Sequence, residues 1–123
     1  MKILVAEDEP ILLRIIEMRL KKDGHEVIIS VDGREALAKI EEEAPDLIIA
    51  DIMMPFASGL EIIGIVKKTT RTPVIILSAL EQEGVVLEAF QLGADDYITK
   101  PFSLNELSVR VKRFAMGSIP HQH

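Results

Sequence analysis

The sequence predicts an α/β fold in which helices cover both faces of a five-stranded parallel sheet, and three observations support this. Short apolar runs recur along the chain, and segments with helical periodicity separate them. The runs are continuously apolar rather than alternating, which is typical of parallel strands that are buried on both faces. The connections are short and no internal repeat is visible, so the 123 residues are expected to form one domain.

Five of the apolar runs are predicted to be strands. They span Ile3–Ala6, Glu26–Ser30, Leu47–Ala50, Val74–Ser78 and Tyr97–Thr99. Valine and isoleucine, which suit a buried strand, are frequent in them. The third and fourth runs are the most apolar and are therefore expected inside the sheet.

Five helices are predicted from apolar stripes of helical period and from the residues at their ends. The first begins at Pro10 and ends before Gly24. The others span Gly33–Glu43, Gly59–Lys68, Gln82–Leu92 and Leu104–Phe114. Asp32 and Ser103 are expected to cap the second and fifth helices by accepting hydrogen bonds from free amides. Gly93 is expected to adopt a left-handed backbone after the fourth.

The domain is expected to cover residues 1–115. Residues 116–123 lack periodicity, so they are expected to be a frayed tail, the start of a linker or a remnant of cloning. The apolar run at the amino terminus is too short for a signal peptide or a membrane span, and the cytoplasm is the expected compartment.

Composition excludes several classes of function. The formal net charge of -6 argues against direct contact with nucleic acid or an anionic membrane. The chain has no cysteine, which excludes disulfides, thiolate metal sites and thiol nucleophiles. Chemistry is therefore expected from carboxylates, hydroxyls and amines, because His25 lies in a turn and His121 and His123 lie in the tail.

Polar side chains follow the predicted strands where a parallel sheet binds its ligands, beyond the carboxyl ends. Glu7 and Asp8 follow the first strand, and Asp51 follows the third. Ser78 ends the fourth strand, and Lys100 follows the fifth. Because these strand ends share one edge of the sheet, we expect all five side chains to converge there.

The chemistry of this group fits phosphoryl transfer. Three crowded carboxylates repel one another unless a cation or a proton neutralises them, and an oxygen-lined site of this size suits Mg²⁺. An aspartate can act as the nucleophile, while Lys100 and Ser78 can contact phosphoryl oxygens. Taken singly, each residue is an ordinary loop or capping residue, so the hypothesis depends on all five together.

These residues and their spacing resemble the receiver domains of two-component response regulators. The resemblance covers residues 2–114 and includes the acidic pair after the first strand. Asp51 is followed by a proline and a glycine at the spacing of the family's phosphorylation motif, and residues 93–102, GADDYITKPF, are similar to its most recognisable stretch. The resemblance implies a flavodoxin-like, doubly wound (βα)5 sandwich of three layers with strand order 2-1-3-4-5.

The resemblance also implies a role for each acidic residue. Asp51 would accept a phosphoryl group from a sensor histidine kinase. Asp8, Asp51 and the backbone carbonyl of Met53 would bind Mg²⁺ directly, and Glu7 would bind it mainly through water. The chain would then be a signalling domain with self-catalysed phosphotransfer and autodephosphorylation rather than an enzyme.

Further residues are implied to transmit the signal. Ser78 and Lys100 would bind the phosphoryl oxygens, and Tyr97 would turn inward as Ser78 moves. The surface of helix four, strand five and helix five would then control a partner, a homodimer or an output domain, including that of a transcriptional regulator. The peptide bond between Lys100 and Pro101 is cis in the family.

Several positions depart from the family's usual pattern. Glu7 stands where many members have aspartate, and Phe56 brings an aromatic ring into the loop after Asp51. Val85 and Val86 replace the charges that winged-helix regulators carry early in helix four. They predict either an apolar partner surface or a helix turned further into its own core, and periodicity does not separate the two.

Two other functions fit the residues less well. A phosphohydrolase with an aspartyl-phosphate intermediate is the alternative, but such enzymes place a second aspartate where this chain has Met53. A flavin carrier would need a phosphate-binding loop after strand one, where three acidic residues stand.

Overall fold

The computed structural model describes residues 1–79 and 83–117. Strands β1 to β5 span Lys2–Ala6, Glu26–Ser30, Leu47–Asp51, Val74–Ala79 and Asp96–Lys100. Helices α1 to α5 span Pro10–Lys22, Gly33–Glu43, Gly59–Thr69, Glu83–Leu92 and Leu104–Gly117. All strand pairs are parallel, and the order β2-β1-β3-β4-β5 confirms the predicted fold.

The observed bounds differ from the predicted ones by a few residues. Strand β3 includes Asp51 and strand β5 includes Lys100, because each still pairs with β4. Helix α5 continues to Gly117 rather than ending at Phe114, because good helix formers follow and no stop signal precedes the glycine. Gln82, the predicted start of α4, lies outside the described residues, as do residues 118–123.

The sheet separates two apolar clusters. On one face, side chains of β1, β3 and β4 pack against α2, α3 and α4, as Leu4 and Ile48 do. On the other face, alternate residues of the same strands, such as Val5 and Ile49, pack against α1 and α5. Both faces are covered, which explains why the strands read as continuous apolar runs.

Helix ends follow the predicted signals. The Asp32 side chain accepts a hydrogen bond from the amide of Glu35 at 2.8 Å, and the Ser103 hydroxyl accepts one from Glu106 at 3.0 Å. Gly93 has a φ of 115° after α4. The Lys100–Pro101 peptide bond is cis. Within the described residues, no helix has both the length and the apolar character needed to cross a membrane.

Two glycines hold the loop between β3 and α3 against its neighbours. A Cβ on Gly33, at the start of α2, would lie 1.8 Å from the carbonyl oxygen of Ala57. A Cβ on Gly59 would lie 2.8 Å from the carbonyl oxygen of Asp51. The Gly33 amide also donates a hydrogen bond to the carbonyl of Pro55 at 3.1 Å. These contacts place the loop directly beside the end of β3.

Replacing Gly33 by alanine is predicted to lower the free energy of unfolding by about 1–3 kcal/mol, because the added methyl group overlaps the backbone of Ala57. Gly64→Ala is the matched control, since its Cβ meets no described atom within 4 Å. Within helix α3, that change is expected to raise stability by about 0.5–1 kcal/mol. Urea unfolding measures both, and a stability change of the same sign in the two variants would contradict the close approach at Gly33.

Candidate functional site

The five residues predicted to converge lie together at the carboxyl edge of the sheet. Asp51 ends β3 and is 6% exposed, while Glu7 follows β1 and is fully buried. Ser78 lies near the end of β4 and Lys100 ends β5. One carboxylate oxygen from each of Glu7, Asp8 and Asp51 lies within 4.8 Å of the others. The strand register therefore builds an acidic cluster that opens to solvent through the exposed Asp8.

Lys100 is the cation of this cluster. Its ammonium lies 2.5 Å from Oδ2 of Asp51 and 3.0 Å from Oε1 of Glu7. Glu9, which sequence reasoning did not single out, contributes a third carboxylate at 3.9 Å. Burial alone would lower the pKa of Lys100, but the carboxylates of Asp51 and Glu7 outweigh burial and raise the pKa. The side chain therefore carries a positive charge at neutral pH.

Glu7 is the carboxylate of this cluster whose ionised form is disfavoured by its surroundings. Burial is the main cause that raises the pKa of Glu7, and together with the charge of Asp51 it brings that pKa to about 7 against the opposing effect of Lys100. The other oxygen, Oε2, accepts a hydrogen bond from the amide of Glu9 at 3.1 Å. Near neutral pH, Glu7 therefore takes up a proton readily, which relieves the repulsion among the carboxylates.

The donor set also suits a divalent cation. Carboxylate oxygens from three residues face one another, and these hard ligands favour small cations such as Mg²⁺. The amide of Met53 donates to Oδ1 of Asp51 at 2.9 Å, which ties the backbone after β3 to the same carboxylate. The group fits a metal because a divalent cation supplies the charge that Lys100 alone does not.

Ser78 supplies an uncommitted hydroxyl. Its side chain is 1% exposed, and its Oγ has no hydrogen-bond partner among the described residues. A buried polar group without a partner is uncommon and calls for an explanation. Ser78 also lines a cavity of about 380 Å³ together with Tyr97 and residues of α4.

Tyr97 lines this cavity, and its side chain is partly exposed to solvent. The residue is 38% exposed, and its ring meets the edge of Phe90 with 5.6 Å between ring centroids and an interplanar angle of 85°. Tyr97 is therefore not buried in the core.

The loop after Asp51 contains an unusual aromatic residue. Phe56 has a φ of 71°, and the amide of Ala57 donates to the carbonyl of Pro55 at 2.8 Å, which closes a three-residue turn. The Phe56 side chain is 69% exposed, and the guanidinium carbon of Arg34 lies 3.8 Å from its ring centroid. This cation–π contact joins the start of α2 to the loop, and sequence reasoning did not predict it.

The structure separates the two interpretations of the apolar residues in α4. Val85 packs partly against the core and Ala89 is buried, so these positions belong to the interior. Val86 lines the cavity beside Tyr97. The exposed apolar side chains of α4 include Leu87 and Phe90, which lie one helical turn apart on the outer side. Of the two interpretations, Val85 therefore fits the one in which the helix turns further into its own core.

Comparison with known proteins decides the family. The family model described as the response regulator receiver domain matches residues 3–112. The chain belongs to this family. Receiver domains are signalling domains rather than enzymes in the usual sense, which agrees with the resemblance drawn from the sequence.

Solved structures of receiver domains superimpose closely on this one. The receiver domain of the Francisella response regulator 1452 is 38% identical with a TM-score of 0.89, over 96% of this chain and 98% of that one. A receiver domain of a signal transduction histidine kinase from Syntrophus aciditrophicus is 32% identical, with a TM-score of 0.89 and coverage of 98% and 94%. The chemotaxis protein CheY4 of Vibrio cholerae is 30% identical, with a TM-score of 0.85 and coverage of 92% and 97%.

The raised pKa of Glu7 predicts that Mg²⁺, used as a probe, binds the receiver domain more tightly as the pH rises through about 7. Below that pH the cation has to displace a proton from Glu7, and above it the carboxylate is already deprotonated. Titration calorimetry is expected to show an affinity gain of up to about tenfold per pH unit below the pKa, levelling off above it.

The control is Glu7→Gln, which stays neutral at every pH. Because the pKa of Glu7 in the folded state lies above its ordinary value of 4.5, the stability that protonated Glu7 contributes is fully present below about pH 4.5 and is lost as the pH rises through about 7. The variant is therefore expected to lose both this stability change and the slope of Mg²⁺ affinity with pH. A wild-type affinity that is independent of pH would contradict the prediction.

Proposed function

We propose that this receiver domain accepts a phosphoryl group on Asp51 from a sensor histidine kinase, in a reaction that depends on Mg²⁺. The single observation that carries the proposal is the grouping around Asp51. Its carboxylate contacts the ammonium of Lys100 and shares an acidic cluster with Glu7 and Asp8. In β4, Leu77 pairs with Asp51, and the next residue is Ser78, whose hydroxyl has no hydrogen-bond partner among the described residues.

The contacts of Asp51 suit a nucleophile. Oδ1 accepts from the Met53 amide and Oδ2 accepts from Lys100, so the carboxylate is oriented at both oxygens. In the transfer, a P–O bond forms to Asp51 as the P–N bond to the donor histidine breaks, and the released imidazole takes up a proton. Lys100 and Ser78 would stabilise the negative charge on the phosphoryl oxygens.

The proposed metal ligands are Asp8, Asp51 and the backbone carbonyl of Met53, with Glu7 acting mainly through water. When bound, Mg²⁺ would neutralise charge between the carboxylates and the incoming phosphoryl oxygens. Glu7 lies within ion-pair distance of Lys100, which supports an indirect role for the longer side chain. Met53 stands where a phosphohydrolase of the alternative class has its second aspartate, so that alternative gains no support from the described residues.

We further propose that phosphorylation changes the surface formed by α4, β5 and α5. Ser78 would move toward the phosphoryl group, and Tyr97 would turn into the cavity that both residues line. On this surface, the buried carboxylate of Asp96 is paired within the chain, with Arg110 at 2.8 Å and Arg113 at 3.2 Å. A homodimer through this surface would have to exchange these pairs for contacts between subunits.

We also propose a biological setting for this domain. A cytoplasmic receiver domain would pass the signal to an output domain or a partner, and control of transcription is one such output. The solved relatives include a domain described as part of a histidine kinase and a chemotaxis protein, so relatives with this fold occur in different signalling contexts.

Incubation with phosphoramidate and Mg²⁺ is expected to add one phosphoryl group to the wild-type protein, as measured by intact mass. Asp51→Asn is expected to abolish the adduct because the amide is not a nucleophile for this transfer. Asp46→Asn is the matched control, since Asp46 lies just before the other end of the same strand.

The adduct is also expected to be labile in alkali, as an acyl phosphate is, and to require Mg²⁺. An adduct of unchanged yield in Asp51→Asn would overturn the assignment of the phosphoacceptor. The same yield in the presence of excess chelator would overturn the dependence on metal.

A further inference from the structure

We propose that Phe90 is a positioning residue for Tyr97, whose ring it holds in the outward orientation. Phe90 would thereby set the fraction of unphosphorylated molecules in which the Tyr97 ring is already turned inward. This inference rests on the proposed function, because it concerns the switch that phosphorylation of Asp51 would drive. It adds a residue to which neither the family resemblance nor the sequence pattern gives a role.

The contact between the two rings has a favourable geometry. The edge of one ring meets the face of the other at an interplanar angle of 85°, with centroids 5.6 Å apart. Such pairs attract because the positive ring edge faces the negative ring face. Phe90 is 41% exposed and Tyr97 is 38% exposed, so neither ring is enclosed by the core. The contact between them is therefore a restraint on the Tyr97 ring outside the core.

A second position for the Tyr97 ring lies next to the first. The cavity of about 380 Å³ between β4, β5 and α4 is lined by Ser78, Val86, Leu87 and Thr99 as well as the two rings. Its lining is largely apolar and includes Ser78, whose buried Oγ has no partner among the described residues, and this combination suits the apolar body and polar tip of a tyrosine. Tyr97 thus has an outward position against Phe90 and an inward position beside Ser78.

Phe90 acts on the balance between these two positions. The observed edge-to-face contact belongs to the outward orientation, and we expect rotation of the Tyr97 ring into the cavity to break this geometry. An aromatic pair of this kind shifts a two-state ratio by roughly two- to twelvefold. Removing the ring of Phe90 therefore raises the ratio of inward to outward Tyr97 by that factor before any phosphoryl group is present.

The chain is well suited to a direct measurement of this balance. Tyr97 is its single tyrosine and it has no tryptophan, so tyrosine fluorescence reports this ring alone. Quenching by acrylamide measures how accessible the ring is. Two opposite results are distinguishable for Phe90→Ala. A ring that turns inward is quenched less, whereas a ring that only loses its neighbour is quenched more.

We expect Phe90→Ala to lower the quenching constant of unphosphorylated protein, and Phe90→Leu to lower it less. Leu92→Ala is the matched control, because Leu92 is also 41% exposed on α4 and is not among the residues that line the cavity. It is expected to behave as wild type. An unchanged or increased quenching constant in Phe90→Ala, or an equal decrease in Leu92→Ala, would overturn the role of Phe90.

The same samples are then treated with phosphoramidate and Mg²⁺, and their intact mass is recorded. Phosphorylation is expected to lower the quenching constant strongly in wild type and only slightly further in Phe90→Ala. An equal phosphorylation-dependent decrease in both proteins would contradict the inference. A missing adduct on Asp51 would instead count against the proposed function, while the comparison of unphosphorylated variants still tests Phe90.

Discussion

The site depends on one interaction, the ion pairing of Lys100 with two buried carboxylates. Asp51 and Glu7 are almost inaccessible to water, and the ammonium of Lys100 lies within 3.0 Å of both. Burying charges is costly, and removing one partner from such a group leaves the others uncompensated. Two carboxylates share one ammonium here, so the group still favours a proton or a cation. The raised pKa of Glu7 reflects this incomplete neutralisation of the buried negative charge.

The fold keeps these charged side chains close together because four strand ends meet at one edge of the sheet. The ladder pairs Asp51 with Leu77, and Lys100 with Ala79, so the side chains cannot move apart without breaking the sheet. Gly59 lets the following loop approach the end of β3. A charge change at Asp51 is therefore expected to act on Ser78 and the cavity beside it rather than on the strands.

Much of this arrangement was predictable from sequence, and the reason is physical. The buried strands are so apolar that Asp51 and Lys100 stand out as polar residues at their ends, and parallel strands share an edge. The contact between Arg34 and Phe56 depends on a turn with positive φ at a residue that rarely adopts it. The exposure of Phe90 depends on the rotation of α4, which its nearly uniform apolar sequence leaves undetermined.

The central claim is that Asp51 is the nucleophile of a site completed by Mg²⁺. A crystal structure with Mg²⁺ and beryllofluoride, a mimic of the phosphoryl group, tests it most directly. The account predicts beryllium bonded to a carboxylate oxygen of Asp51, with Lys100 and Ser78 contacting the fluorides and the cation held by Asp8. Beryllofluoride bound elsewhere, or a cation at a site without these carboxylates, would contradict it.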